Sequence, residues 1–356
     1  MDTFFLSLAV IVCGGVLPLL IHRHFTVMKA VCCVMVSAGC MVGLVEALSV
    51  LLHPGGAATY SLPWLHIFTL SFQIDSISAY FLIPIFTVSP LAVLYSFHYM
   101  EKPEQSLRTA INYFFNAILI ASMALVACAD NIPTFALAWE FMSLSSYFLI
   151  VYDYQDKEIR KAASLSFIFA QGGAMLLFAA FAVIYSHTGT FDFSGIASIP
   201  ESAKLTVFIL AFIGFGSKAG IFPLHIWLPH AHPAAPSHIS AVMSGVMIKM
   251  GIYGIIRIYA LLGTPSMLFG QIVLIVGMVT GVLGVVYAMG QHDLKKLLAY
   301  HSVENIGIIV IGLGVGMIGV ATETDAMAFF GFAGAFMHVF NHSIFKTVLF
   351  MGAGAV

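Results

Sequence analysis

The sequence predicts an all-α, polytopic transmembrane helix bundle, and two observations carry that reading. Of 356 residues, 60% are hydrophobic and only 8% are charged, against about 25% charged in an ordinary soluble domain. Apolar runs of 18 or more residues recur along the chain, each long enough as a helix to cross about 30 Å of hydrocarbon. Backbone groups in lipid must be satisfied internally, which leaves helices or a closed barrel. These runs are too long and too continuously apolar for barrel strands. A soluble fold is excluded, and the net charge of −2 points to neither nucleic acid nor an acidic partner.

Reading apolar runs between polar breaks predicts eleven helices, near 3–21, 27–52, 74–99, 111–129, 132–152, 162–186, 205–228, 237–262, 268–289, 297–319 and 326–352. The first run has no basic residue ahead of it and no small-residue cleavage pattern behind it, so it reads as a retained membrane helix rather than a leader. Basic residues orient the bundle. The loops after the first, third, fifth and ninth helices hold Arg23, Lys29, Lys102, Arg108, Lys157, Arg160, Lys161, Lys295 and Lys296, whereas the loops after the second, fourth, sixth, eighth and tenth hold only Lys204. The basic side is therefore expected in the cytoplasm and the amino terminus outside, as for a multi-pass protein of the inner (plasma) membrane.

Two motif classes drop out. Cys13, Cys32, Cys33, Cys40 and Cys128 all lie in apolar runs, form no CxxC pair and have no histidine at zinc spacing. They read as small packing residues, not as zinc or iron–sulfur ligands. Gly314, Gly316 and Gly319 fit GxGxxG but fall inside a membrane helix, whereas a dinucleotide fingerprint follows a strand and opens a helix beside water. These glycines, with Gly39/Gly43 and Gly277/Gly281, are expected to let helices approach closely.

The informative residues are those that lipid disfavours. Ten of the fourteen basic residues sit in loops, while Lys218, Lys249, Arg257 and Lys346 fall inside predicted helices, as do Glu46, Glu140 and Glu304. A charge near the bilayer centre costs a few kcal/mol on insertion scales, so such residues normally face a bundle interior, pair, and mark an ion path. Snorkelling is the competing reading, and it suits Arg257 and Glu304 near predicted ends. Glu140 and Lys218 lie deeper, and they suit each other. A buried amine can load and release a proton near neutral pH when a neighbouring carboxylate modulates its charge.

Pro223 follows Lys218 by five residues, with Pro229, Pro233 and Pro236 beyond and Gly214, Gly216 and Gly220 before it. A proline inside a helix deletes the bond to the carbonyl four residues back, here Ala219. The seventh helix is thus predicted to be discontinuous, with freed carbonyls lining a hydrated cavity beside Lys218, as at transporter ion sites. A plain kink is the alternative. His225, His230, His232 and His238 cluster around the break without any metal-binding spacing, and read either as a proton relay at a cytoplasmic mouth or as ordinary packing. Lys249 is a candidate next station. His338, His342 and Lys346 follow at i, i+4 and i+8 on one helix face, spanning about 12 Å, the spacing of a proton wire.

The stretch from Gly216 to Ala241, together with Trp139-Glu140, Asp293 to Tyr300 and Asn341 to Lys346, resembles the antiporter-like membrane subunits of complex I, of group 4 membrane hydrogenases and of multisubunit cation/proton antiporters. His301 to Gly307 and Phe340 to Lys346 look most like the hydrogenase-4 and formate hydrogenlyase branch. The resemblance implies about fourteen helices, with inverted repeats over helices 4–8 and 9–13. Residues 1–110 would then be an N-terminal unit, 111–262 the first repeat and 263–356 an incomplete second repeat. It also implies a Glu140/Lys218 coupling pair, with Lys249 and the helix 11 histidines carrying the path onward. The second broken helix of such subunits has no counterpart before Val356, so a further stretch of chain or a neighbouring subunit is expected to supply it.

Three functions follow as expectations. The first is a non-catalytic, proton-translocating subunit of a complex I-like oxidoreductase or membrane hydrogenase. It would hold no cofactor itself, with iron–sulfur clusters, flavin or nickel–iron in partner subunits of the membrane arm and a peripheral redox arm. The second is a subunit of a sodium/proton antiporter, and the third is a structural brace in a membrane arm.

Overall fold

Apolar side chains drive each run out of water, and intrahelical bonding is the cheapest way to satisfy its backbone there. The computed structural model describes residues 1–53, 59–64, 68–263 and 266–356, and all eleven predicted runs are helical in it. In chain order the helices are α1 (Asp2–Leu20), α2 (Phe25–Leu52), α3 (Ser76–Tyr99), α4 (Ser106–Cys128), α5 (Ile132–Ile150), α6 (Lys157–Thr188) and α7 (Glu201–Ala219). They continue as α8 (Leu228–Ala234), α9 (Ser237–Val242), α10 (Lys249–Leu262), α11 (Met267–Met289), α12 (Leu294–Ala321) and α13 (Asp325–Ala355). Nine helical spans among the described residues are long and apolar enough to cross a membrane. The two long helices outside that set are α5 and α13, which carry the polar residues Glu140, His338, His342 and Lys346.

Side chains set several helix starts. Asp75, Asn131, Asp156 and Asp293 each accept a hydrogen bond from a backbone N–H in the first turn that follows, satisfying donors that have no intrahelical partner. In the middle of the bundle, residues 237–256 are buried without exception, while α11 leaves most of its surface at the rim. Glycines permit the closest crossings. A Cβ on Gly314 would lie 2.5 Å from the Leu274 nitrogen, one on Gly319 2.2 Å from the Ala328 nitrogen, and one on Gly39 2.6 Å from the Ile11 side chain. The GxGxxG match is thus a packing seam between α12 and its neighbours α11 and α13.

The structure departs from the sequence expectation in several places, and of the basic residues placed in loops Arg108, Lys157, Arg160, Lys161, Lys204, Lys295 and Lys296 lie in the N-terminal turns of α4, α6, α7 and α12. An antiparallel hairpin, β1 (Thr59–Trp64) and β2 (Phe68–Gln73), lies between α2 and α3. It is held to the α4–α5 turn by a Phe72–Ala129 bridge and a 2.9 Å bond from the Ser71 nitrogen to Thr134 Oγ1. Lys29 is not in a loop. It is a buried residue of α2 whose ammonium bonds the Phe97 and Met100 carbonyls at 2.7 and 3.3 Å, closing the C-terminal end of α3. Arg257, near the end of α10, turns its guanidinium to the N-cap of α3, where it grips both oxygens of Asp75 and donates to Ser78 Oγ at 2.8 Å. Glu304 sits a full ten residues into α12, too far from its end to snorkel, and pairs with His301.

Candidate functional site

The discontinuity begins at Gly220, not at Pro223. Helix α7 ends at Ala219, and Gly220 takes φ 78°, a left-handed conformation that closes the helix by bonding its N–H to the Gly216 carbonyl at 2.8 Å. A Cβ there would stand 2.0 Å from Leu228, so both conformation and space require glycine. The chain then crosses in turns, with Pro223 among them, until α8 begins at Leu228. Trp227 spans the gap, its indole N–H bonding the Ser217 carbonyl at 2.9 Å.

Lys218 therefore occupies the last turn of a helix that stops inside the bundle, only 3% exposed. Its Nζ donates to Ser143 Oγ on α5 at 3.3 Å and sits 5.9 Å from the Trp139 ring centre. Glu140 lies on the same helix α5, within electrostatic reach of the ammonium but not bonded to it. One Glu140 oxygen accepts from Gln171 Nε2 on α6 at 2.8 Å, and the other has no partner among the described residues. The close approach of α6 and α7 fixes this geometry: Cβ atoms on Gly173 or Gly214 would each fall 2.8 Å from the other's carbonyl oxygen. The predicted acid and amine are thus neighbours, with a serine hydroxyl on the amine and a glutamine amide on the acid.

A second polar group surrounds Lys249. The stretch Met243–Met247 between α9 and α10 is a π-turn, where the sequence predicted a continuous helix. The wider turn leaves the Ser244 carbonyl free to accept from Lys249 Nζ. Ser244 Oγ is 2.8 Å from Ser302 Oγ, Ser302 donates to the Leu298 carbonyl at 2.9 Å, and Lys346 Nζ donates to that same carbonyl at 3.1 Å. A connected set of hydroxyls and carbonyls therefore joins two buried lysines on α10 and α13. His342 is fully buried beside them, with neither ring nitrogen partnered among the described residues. His338 stacks on it at 6.1 Å and bonds Asn305 Oδ1 at 2.8 Å.

The remaining sequence candidates are scattered. His225 is buried in the connecting turns, stacked on Phe222. His232 is buried in α8 against Phe350, and His230 is exposed. The four histidines do not share one pocket. Ser143, Gln171, Ser244, Ser302 and Asn305 join the site in addition to the candidates the sequence offers. Gln171, an amide midway along α6, is detectable from sequence as a polar group in lipid. The serines carry no such signal, since a hydroxyl can bond its own helix.

Helices crossing at glycine seams, one of them broken beside a buried lysine, define a polytopic membrane protein of the antiporter-like class. The chain belongs to the NADH:quinone oxidoreductase/Mrp antiporter transmembrane family, whose model matches residues 129–356. A second model, described as the N-terminus of NADH-ubiquinone oxidoreductase (complex I) chain 5, matches residues 64–115. Hydrogenase-4 component B of Escherichia coli is 42% identical over 293 residues, covering 81% of this chain and 43% of that protein. Formate hydrogenlyase subunit 3 of the same organism is 37% identical over 241 residues, 67% of this chain and 38% of the relative. The chain thus spans less than half the length of the curated relatives it matches. Among solved structures, an archaeal respiratory membrane complex, the membrane-bound sulfane sulfur reductase, has a chain that superposes with TM-score 0.81 at 28% identity. The match covers 98% of this chain and 55% of that one.

Proposed function

We propose that this chain moves protons across the inner membrane as a non-catalytic subunit of a multisubunit redox assembly, with Glu140 and Lys218 as its coupling centre. The observation that carries the reading is the Lys218 ammonium at a helix end inside the bundle, held by Ser143 with Glu140 within electrostatic reach but unbonded. A pair that is close but not locked can exist in two arrangements. With carboxylate and ammonium drawn together the proton stays on the amine. When hydration or a neighbouring charge draws the carboxylate toward Gln171, the amine loses its counter-ion and releases the proton. Lys249, Lys346 and the histidines His342 and His338 would receive it, through the hydroxyl-and-carbonyl network and bridging water.

The likeness to hydrogenase-4 component B and formate hydrogenlyase subunit 3 supports partners in a membrane arm and a peripheral redox arm. Clusters, flavin or nickel–iron would reside in those partners. The basic loops are read as cytoplasmic, with the amino terminus outside.

The test is Lys218→Met in the assembled complex reconstituted into proteoliposomes. Proton pumping is expected to vanish while the subunits still co-purify; unchanged pumping refutes the assignment. A sodium/proton antiporter subunit is the second reading, favoured by the antiporter half of the family description. It requires proton flux that depends on sodium and persists without a redox partner.

A further inference from the structure

A group of buried polar atoms at the basic end of the bundle lies outside the pathway described so far. His238, on α9, is fully buried, and its Nε2 is 2.9 Å from Asn112 Oδ1 on α4. Because an amide oxygen only accepts, this contact puts the ring proton on Nε2 and leaves Nδ1 as a free acceptor. That Nδ1, Asn112 Nδ2, Ser237 Oγ and both ring nitrogens of the fully buried His232 have no partner among the described residues. A buried polar atom left alone costs about 1–3 kcal/mol, and interiors that are polar and roomy satisfy such atoms with water.

The room is there. Two cavities open on the basic face. One of about 270 Å³ is lined by Tyr99, Gln105, Thr109, Tyr152, Pro236 and Lys295. The other, of about 500 Å³, shares Gln105 and Tyr152 and has Asn112 itself in its wall. Asn112 therefore touches an outer cavity and His238 at once. The Tyr99 ring lies 5.9 Å from the His238 ring, and the Tyr99 hydroxyl accepts from the Ser237 nitrogen. Further in, Ser240 Oγ bonds the His232 carbonyl at 2.8 Å, tying α9 to α8. Lys249, Lys346 and Lys295 all lie within electrostatic reach of the His232 ring.

We propose that Asn112, His238 and His232 form a proton inlet from the basic face that supplies the Lys249–Lys346 network directly, with Glu140 and Lys218 gating that network but not serving as stations on this route. The inlet rests on the proton-translocating reading above. An excess proton carried as hydronium in the cavity adds to His238 Nδ1, one O–H bond of the hydronium breaking as the N–H forms and neutral water remaining. Asn112 holds the ring by its other nitrogen throughout. In the next step the Nδ1–H bond breaks as an inner water takes the proton, His238 returns to neutral, and that water passes the proton to His232 and then to the lysines. Asn112 is a positioning residue here, since an amide carries no proton.

The experiment compares His238→Gln with Lys218→Met in the assembled complex in proteoliposomes, reading proton uptake from the basic side. Glutamine can keep a donor on Asn112 Oδ1 but cannot relay a proton. At least a fivefold loss of uptake in His238→Gln is expected. Normal uptake in that variant with Lys218→Met inactive overturns the inlet and leaves the translocation reading standing. Normal uptake in both overturns the two together. Should His238→Gln fail to assemble, Gln105→Cys treated with a membrane-impermeant sulfonate thiol reagent decides the matter. Labelling in the cavity slows uptake by a similar factor, and unchanged uptake after complete labelling overturns the inlet.

Discussion

At the scale of single residues, the chain uses glycine and charge where apolar side chains would fail. Gly220→Ala forces a left-handed conformation on alanine and drives its methyl into Leu228. The expected cost is about 1–3 kcal/mol, measured as a lower unfolding temperature in detergent, with Ala203→Gly on α7 as the control for helix propensity. Asp75, capping α3 outside the membrane span, is pushed up by burial, but the Arg257 guanidinium and the Ser78 bonds outweigh that and hold its carboxyl below the usual range. A lowered folded value means stability that is full above the unfolded carboxylate range and lost as pH falls through the folded value. Acid unfolding of the wild-type chain should therefore steepen at low pH, and Asp75→Asn should flatten that dependence. Because the Asp75 side chain is 35% exposed, screening reduces the effect to about 1 kcal/mol.

At the scale of elements, legibility followed the strength of the physical signal. Eleven apolar runs read as eleven helical segments because each is far longer than any strand. The hairpin escaped notice although Tyr60, Leu62 and Trp64, then Phe68, Leu70 and Phe72, alternate with period two; next to 20-residue apolar runs, six residues carry little weight. The π-turn was invisible, because one extra residue in a helical turn leaves no mark on composition. Pro223 drew the break to itself, while the left-handed Gly220 three residues earlier sets it. Glu140 and Lys218 could be paired from sequence because each is costly in lipid alone. Ser143 and Gln171, which tune them, are cheap enough to hide. Lys29→Met, which removes the ammonium from the α3 carbonyls, is expected to loosen that helix end and raise hydrogen exchange at Phe97–Met100.

For the whole molecule, the asymmetry of basic loops gives a direct test of orientation. Cysteines introduced at Lys102, Lys157 and Lys296 should react with impermeant thiol reagents only in inside-out vesicles. A cysteine at Thr190, in the loop after α6, should react only in right-side-out ones. The reverse pattern would place the basic loops outside.

The stretch 237–256 is enclosed by its neighbours at every residue. Bilayers of unusual thickness must then strain the rim helices, which show most of their surface, and leave the enclosed strand of hydroxyls, carbonyls and Lys249 at its native spacing. On the proposed function, proton flux should consequently tolerate thin or thick vesicles better than assembly does, since the outer helices take the load and the enclosed one does not.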